Sequence, residues 1–171
     1  MSHLNSSLKE FENYFKNKGV ELKGKILDVG CRDHTTKAYF NVLGLEWEGI
    51  DKSPQQTQGN IISMNMEELN FEDDYYDFLF VCHSLEHCEN PLQALKEFHR
   101  VLKKGGYVFI SLPCHCAHHI LESDADHIFC FTDIQLMRLM GHVGFTNEVF
   151  KGTQGGWGEG SDRGHLTYYR C

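Results

Sequence analysis

"KILDVGCRDHTT", residues 25–36, decides how this chain folds. Ile26-Leu27-Asp28-Val29 is a short apolar run that Gly30 halts, the pattern of a buried strand feeding a tight turn. A strand and turn of this kind open the ligand-binding half of a doubly wound sheet. The turn then departs from the usual form. A pyrophosphate is held by a glycine-rich loop whose backbone N–H groups approach it closely. "GCRDHT" offers one glycine, and Arg32 and His34 stand where bare backbone would be needed. The loop therefore disfavours a dinucleotide such as NAD or FAD.

Outward from this turn, short apolar runs alternate with helical patterns. The spacing predicts strands at Lys25–Val29, Glu46–Ile50, Ile61–Ser63, Asp77–Cys82, Tyr107–Leu112, Thr146–Phe150 and Leu166–Arg170. Leu4, Leu8, Phe11 and Phe15 recur at helical intervals over Leu4 to Lys18. Pro91 to Lys103 predicts the best helix. Asn90 suits its cap, Pro91 its first position, and Gly105 a left-handed stop. A further helix spans Thr132 to Val143, where Thr132 and Gln135 fit a capping box and Gly144 fits the end.

Strands alternating with helices imply a parallel sheet covered on both faces. The last two strands break the alternation and are expected to pair antiparallel at one edge. The expected fold is α/β: a Rossmann-like three-layer sandwich, with a seven-stranded, mostly parallel sheet and an antiparallel C-terminal edge hairpin. Residues 1–171 read as a single domain, with an N-terminal helix in 1–20 and a long substrate-side lid loop over 113–131.

The chain has 171 residues, 41% of them hydrophobic, enough for one globular core. A formal charge of −8 argues against nucleic-acid or anionic-membrane partners. Seven cysteines without small-scaffold spacing, and a polar start with no signal-peptide core, lead us to expect a reduced, cytoplasmic protein.

Ligands of open parallel sheets sit beyond the carboxyl ends of the strands. Those ends carry Asp28 and Gly30-Cys31, then Asp51, then Asn65-Met66, then His83 and Pro113. A carboxylate at Asp51 can accept hydrogen bonds from both hydroxyls of a ribose. On its own it reads better as a solvated turn residue before Ser53-Pro54. The Gly30 turn upstream favours the ribose.

These pieces resemble a small class I S-adenosylmethionine-dependent methyltransferase of the type 11 kind, over about residues 20–150. "ILDVGC" is similar to the family's first motif and "EGID" to its second. "NMEELNFEDDYYDFLFVCHSLEH" resembles the stretch ending on the fourth strand, and "PLQALKEFHRVLKKGGYVFISLP" the helix, turn and strand that follow. "DHIFCFTDIQLMRLMGHVGF" resembles a late segment. The resemblance implies S-adenosyl-L-methionine as cofactor and an unidentified, small-molecule methyl acceptor. It puts Asp28, Gly30, Cys31 and Arg32 at the methionyl part, Asp51 with its neighbour Lys52 at the ribose, Asn65 and Met66 beside adenine, and His83 near the methionyl tail or methyl group. The family's further glycines are absent at Arg32 and His34. Arg32 either crowds the cofactor or pairs with its carboxylate. A third possibility is that cofactor binding has decayed, and the alternative to an active enzyme is a catalytically silent module that binds S-adenosylmethionine or S-adenosylhomocysteine.

Methyl transfer needs a general base only when the acceptor loses a proton as it attacks. His83, His115, His118, His119 and His127 are the candidates, with His83 and His127 foremost. The resemblance at "DHIFCFT" favours a positioning role for His127. Helical spacing would bring His83 and His87 to one face, and the resemblance makes Glu86 and His87 structural. Cys114, Cys116, His118 and His119 are ligand types, but their spacing departs from structural zinc sites, and no metal is expected.

Overall fold

The computed structural model describes residues 3–54, 61–113, 126–146 and 164–170. The chain begins with helix α1 (His3–Lys18), which buries Leu8, Phe11, Tyr14 and Phe15 on one stripe. Strand β1 (Gly24–Val29) follows, then helix α2 (Lys37–Val42), β2 (Leu45–Asp51), β3 (Ile61–Ser63) and β4 (Tyr76–Cys82). Helix α3 (Pro91–Val101), strand β5 (Leu102–Pro113), helix α4 (Asp133–Val143) and strand β6 (Gly164–Arg170) complete it.

The sheet runs β3-β2-β1-β4-β5-β6. The first five strands are mutually parallel, and β6 lies antiparallel along β5 from Tyr107↔Arg170 to Pro113↔Gly164. The described residues thus hold six strands, not the expected seven. Of the expected strand Thr146–Phe150 only Thr146 is described, so the edge hairpin lies largely outside the described residues. The strand order reverses between β1 and β4, which opens a crevice there.

One face of the sheet packs on α1 and α2 through Phe11, Phe15, Ile26, Phe40, Phe80 and Phe109. Phe11 alone meets five aromatic rings edge to face, at interplanar angles of 62° to 85° and centroid separations of 4.8 to 6.2 Å. The other face packs on α3 and α4 through Leu79, Val81, Leu95, Phe98, Ile110 and Met140. Large apolar residues therefore alternate between two cores along each central strand.

The caps read from sequence form. Asn90 Oδ1 accepts from the Gln93 N–H at 3.1 Å, and Thr132 and Gln135 close a capping box. Gly144 ends α4 at φ +117°. The end of α3 differs from expectation. It stops at Val101, and Leu102 is already extended and paired with Tyr76. The next pair is Phe78 with Tyr107, so Lys103 to Gly106 bulge out of the ladder. Gly105 (φ +81°) serves that bulge rather than a helix cap. No helix among the described residues is long and apolar enough to cross a membrane.

Candidate functional site

At the end of β1, Gly30 turns at φ +73°. A Cβ there would lie 2.3 Å from Ser84 Cβ, so the position excludes every side chain. Ser84 Oγ donates to the Val29 carbonyl at 2.8 Å, tying the segment after β4 to the end of β1. The Gly30 and Cys31 N–H groups both donate to the Ile50 carbonyl, at 2.8 and 3.0 Å, which bends the loop toward β2. Arg32 then adopts φ +57°, and its N–H donates to Asp51 Oδ2 at 2.8 Å. Asp51 Oδ1 accepts from the Ser53 N–H at 2.7 Å. Each carboxylate oxygen keeps acceptor capacity beyond these bonds. Asp51 thus joins the β1 and β2 loops and still offers acceptors to a ligand. The Arg32 side chain is exposed. The loop meets Asp51 through backbone.

Asp28 lies beneath this loop, buried, and accepts from the Thr36 hydroxyl and from Trp47 Nε1 at 3.2 Å. Burial raises its pKa to about 6, against the lowering effect of those two hydrogen bonds. Its carboxylate fastens the far end of the loop at Thr36. Burial, with Asp28 and Asp51 nearby, also pushes the Cys31 thiol well above the usual range, so it stays a protonated packing group. Asp33 caps its own turn by accepting from the Thr35 N–H and hydroxyl, and the hydroxyl bond is the main reason its pKa is lowered.

After β3, the exposed Asn65 accepts from the Glu67 N–H through Oδ1 at 3.1 Å, while Met66 packs against the α3-side core. Lys52 Nζ lies 3.3 Å from Glu89 Oε1, with both side chains more than 70% exposed, so the pair contributes little. At the end of β4, His83 adopts φ +51°, one of three described non-glycine residues at positive φ. Arg32 is another, so two of the three stand at the mouth of the crevice, where backbone strain collects at functional sites. His83 does not start a helix, and His87 ends a three-residue 3-10 turn, Leu85–His87. The helical-face expectation for His83 and His87 fails for that reason.

The chain matches the methyltransferase domain family over residues 3–149. It belongs to that family. A demethylmenaquinone methyltransferase from Lysinibacillus sphaericus is 40% identical over 107 residues, covering 54% of this chain and 46% of that protein. The chain spans less than half the length of the curated relatives it matches. Its fold is that of a SAM-dependent methyltransferase from Archaeoglobus fulgidus, with TM-score 0.75, 17% identity, and 98% and 93% of the two chains covered. The PH0226 protein from Pyrococcus horikoshii superposes with TM-score 0.73 at 20% identity, over 99% of this chain and 92% of that one.

In this methyltransferase-family chain one residue at the site was missed from sequence. Glu86 is 2% exposed, and its Oε1 lies 3.7 Å from His83 Nδ1 and 3.9 Å from His127 Nε2. Its backbone carbonyl accepts from the N–H groups of Ile128 and Phe129 at 2.9 and 3.0 Å. His127, 10% exposed, meets the His87 ring edge to face at 4.6 Å. His83 and His127, picked separately from sequence, therefore converge on one buried carboxylate. The only signal was "HSLEH" itself, whose link to "DHIF" exists only in the folded chain. His115, His118, His119, Cys114 and Cys116 lie outside the described residues, as does most of the 113–131 loop.

Proposed function

We propose that this chain binds S-adenosylmethionine at the carboxyl ends of β1, β2 and β4 and transfers its methyl group to a small-molecule acceptor. The observation that carries the reading is Asp51. It stands at the end of β2, beside the Gly30 turn and the β1/β4 reversal, with acceptor capacity left for ribose hydroxyls. The residues fit this cofactor better than a dinucleotide, because the loop spends the Arg32 N–H on Asp51.

When bound, the cofactor supplies a methyl group on a positively charged sulfur that leaves readily. Asp51 holds the ribose. Met66 and Asn65 flank the base, the Asn65 amide retaining its N–H donors for the adenine edge. Gly30, Cys31 and Arg32 border the methionyl part, with Asp28 bracing their loop and Lys52 at its solvent rim. His83 stands closest to the acceptor side, and His127 positions the segment that packs over it. Alignment of acceptor and methyl carbon supplies most of the rate, and His83 takes a proton where the acceptor must lose one. A small acceptor is in keeping with the demethylmenaquinone relative.

Calorimetric titration with S-adenosylmethionine tests the site. Asp51→Ala and the milder Asp51→Asn should each weaken binding, the first by about 1–3 kcal/mol. Unchanged affinity in a folded variant overturns the ribose role. A second reading, a silent module that binds cofactor or its product, draws on the non-glycine residues in the loop and on the two backbone N–H groups already on Asp51. Formation of S-adenosylhomocysteine in the presence of an acceptor separates the two.

A further inference from the structure

Glu86, His87 and His127 each place one ligand atom so that all three lie within 4.8 Å of one another. We propose that these three side chains, with His83 beside them, form a binding site for a divalent first-row transition metal such as Zn2+. Donors bound to one zinc ion at about 2.1 Å stand roughly 3.3 Å apart, so shifts of about an ångström or less per side chain close the set. Imidazole nitrogens with one carboxylate are a donor set that suits Zn2+, Fe2+ and Ni2+ and leaves coordination positions open.

The surroundings are those of a built site. His87 Nδ1 lies 3.0 Å from the Asp126 carbonyl oxygen, which can only accept. Nδ1 therefore carries the hydrogen and Nε2 presents its lone pair, the usual outer support of a metal-binding histidine. The Glu86 carbonyl anchors Ile128 and Phe129, and so fixes His127 opposite the Glu86 carboxylate. That carboxylate is 2% exposed, with the His83 and His127 rings beside it. A divalent cation held among them would add positive charge where water is excluded, with neutral imidazoles completing the shell.

The site follows β4, at the mouth of the cofactor crevice. A metal held there would be able to bind an acceptor oxygen and lower its pKa. This last step rests on the methyl-transfer reading; the metal site does not.

The test uses the full chain without an affinity tag, stripped with EDTA, in the absence of cofactor and acceptor. Zinc chloride is titrated by calorimetry, and cobalt chloride is followed by visible absorption. The expected result is stoichiometric binding, a rise in melting temperature with zinc, and a cobalt spectrum typical of nitrogen and oxygen ligands. His127→Ala and Glu86→Gln should each weaken zinc binding at least about 10-fold. A Cys114→Ser/Cys116→Ser double variant should retain it. The glutamine keeps the size of Glu86 and removes its charge, so that arm stands even where the alanine variant folds poorly. No zinc binding below about 1 mM, unchanged affinity in folded Glu86→Gln, or loss of binding in the cysteine double variant overturns the site. Because no methyl donor is present, failure here is distinct from failure of methyl transfer.

Discussion

Asp28 holds a charge where water does not reach, and its pH response follows from that. Burial raises its folded pKa to about 6, against 3.8 for the ordinary side chain. Between those values the folded chain keeps a proton that the unfolded chain has released. Its favourable contribution is therefore full below about pH 4 and is lost as the pH rises through about 6, a change of roughly 3 kcal/mol. Asp28→Asn stays neutral and still accepts from Thr36 and Trp47 through its amide oxygen. Denaturant unfolding of both proteins from pH 4 to 7 should show the variant gaining on the wild type by up to about 3 kcal/mol. A difference that stays flat with pH contradicts the buried charge. Gly30→Ala should cost about 1–3 kcal/mol, since φ +73° disfavours alanine and its Cβ meets Ser84, and the same unfolding assay reads it. Gly30 and Asp51 were legible in sequence because each sits in a local motif with its own geometry. Glu86 was not, because what distinguishes it is burial beside a histidine from a remote segment.

Among the elements, helices with a long apolar stripe were legible: α1, α3 and α4, the last two with side-chain caps as well. Helix α2 was not. It has six residues and buries only Phe40 among them, too little to display a period. The end of α3 was misplaced because Val101-Leu102 continues the helical stripe and also suits a strand, and both residues are fully buried. Pairing with Tyr76 settles the choice, and no local pattern reports it. The segment before β4 is held to α3 by one side chain. Arg100 donates to the carbonyls of Leu69 and Phe71, each at 2.7 Å, to Asp73 at 2.8 Å, and through two nitrogens to Glu97. A planar fork makes these bonds together, and an ammonium group cannot. The Glu97 bond, and after it Asp73, raise the arginine pKa, while the arginine is the main reason the Glu97 carboxyl is lowered. Arg100→Lys should lower stability by about 1–2 kcal/mol, discounted for its partial exposure. Amide exchange over 69–75 should accelerate with it; unchanged protection there would mean the segment is held by its own packing.

At the scale of the whole molecule, one sheet separates two apolar layers. Ile26 on β1 belongs to the layer under α1, and Ile110 on β5 to the layer under α3 and α4. The strand alternation made this sandwich and its crevice legible, while of the expected strand Thr146–Phe150 only Thr146 is described. The two layers share every backbone hydrogen bond of the sheet, so neither face can open while the ladder stays intact. Unfolding should accordingly be a single cooperative transition. Ile26→Val and Ile110→Val each remove one buried methylene and should each cost about 0.5–1.5 kcal/mol. Their strands are separated by β4 and their side chains point to opposite faces, so the two share no partner. The double variant should therefore show the sum of the single effects to within about 0.5 kcal/mol. Far-ultraviolet circular dichroism and tryptophan fluorescence should give coincident midpoints within each of the three variants, read in a Trp157→Phe background so that Trp47 reports from the α1-side layer. Two midpoints, or a fluorescence transition that responds to Ile26→Val alone, would show that the α1 layer melts as a unit of its own and that the sheet does not couple the two cores.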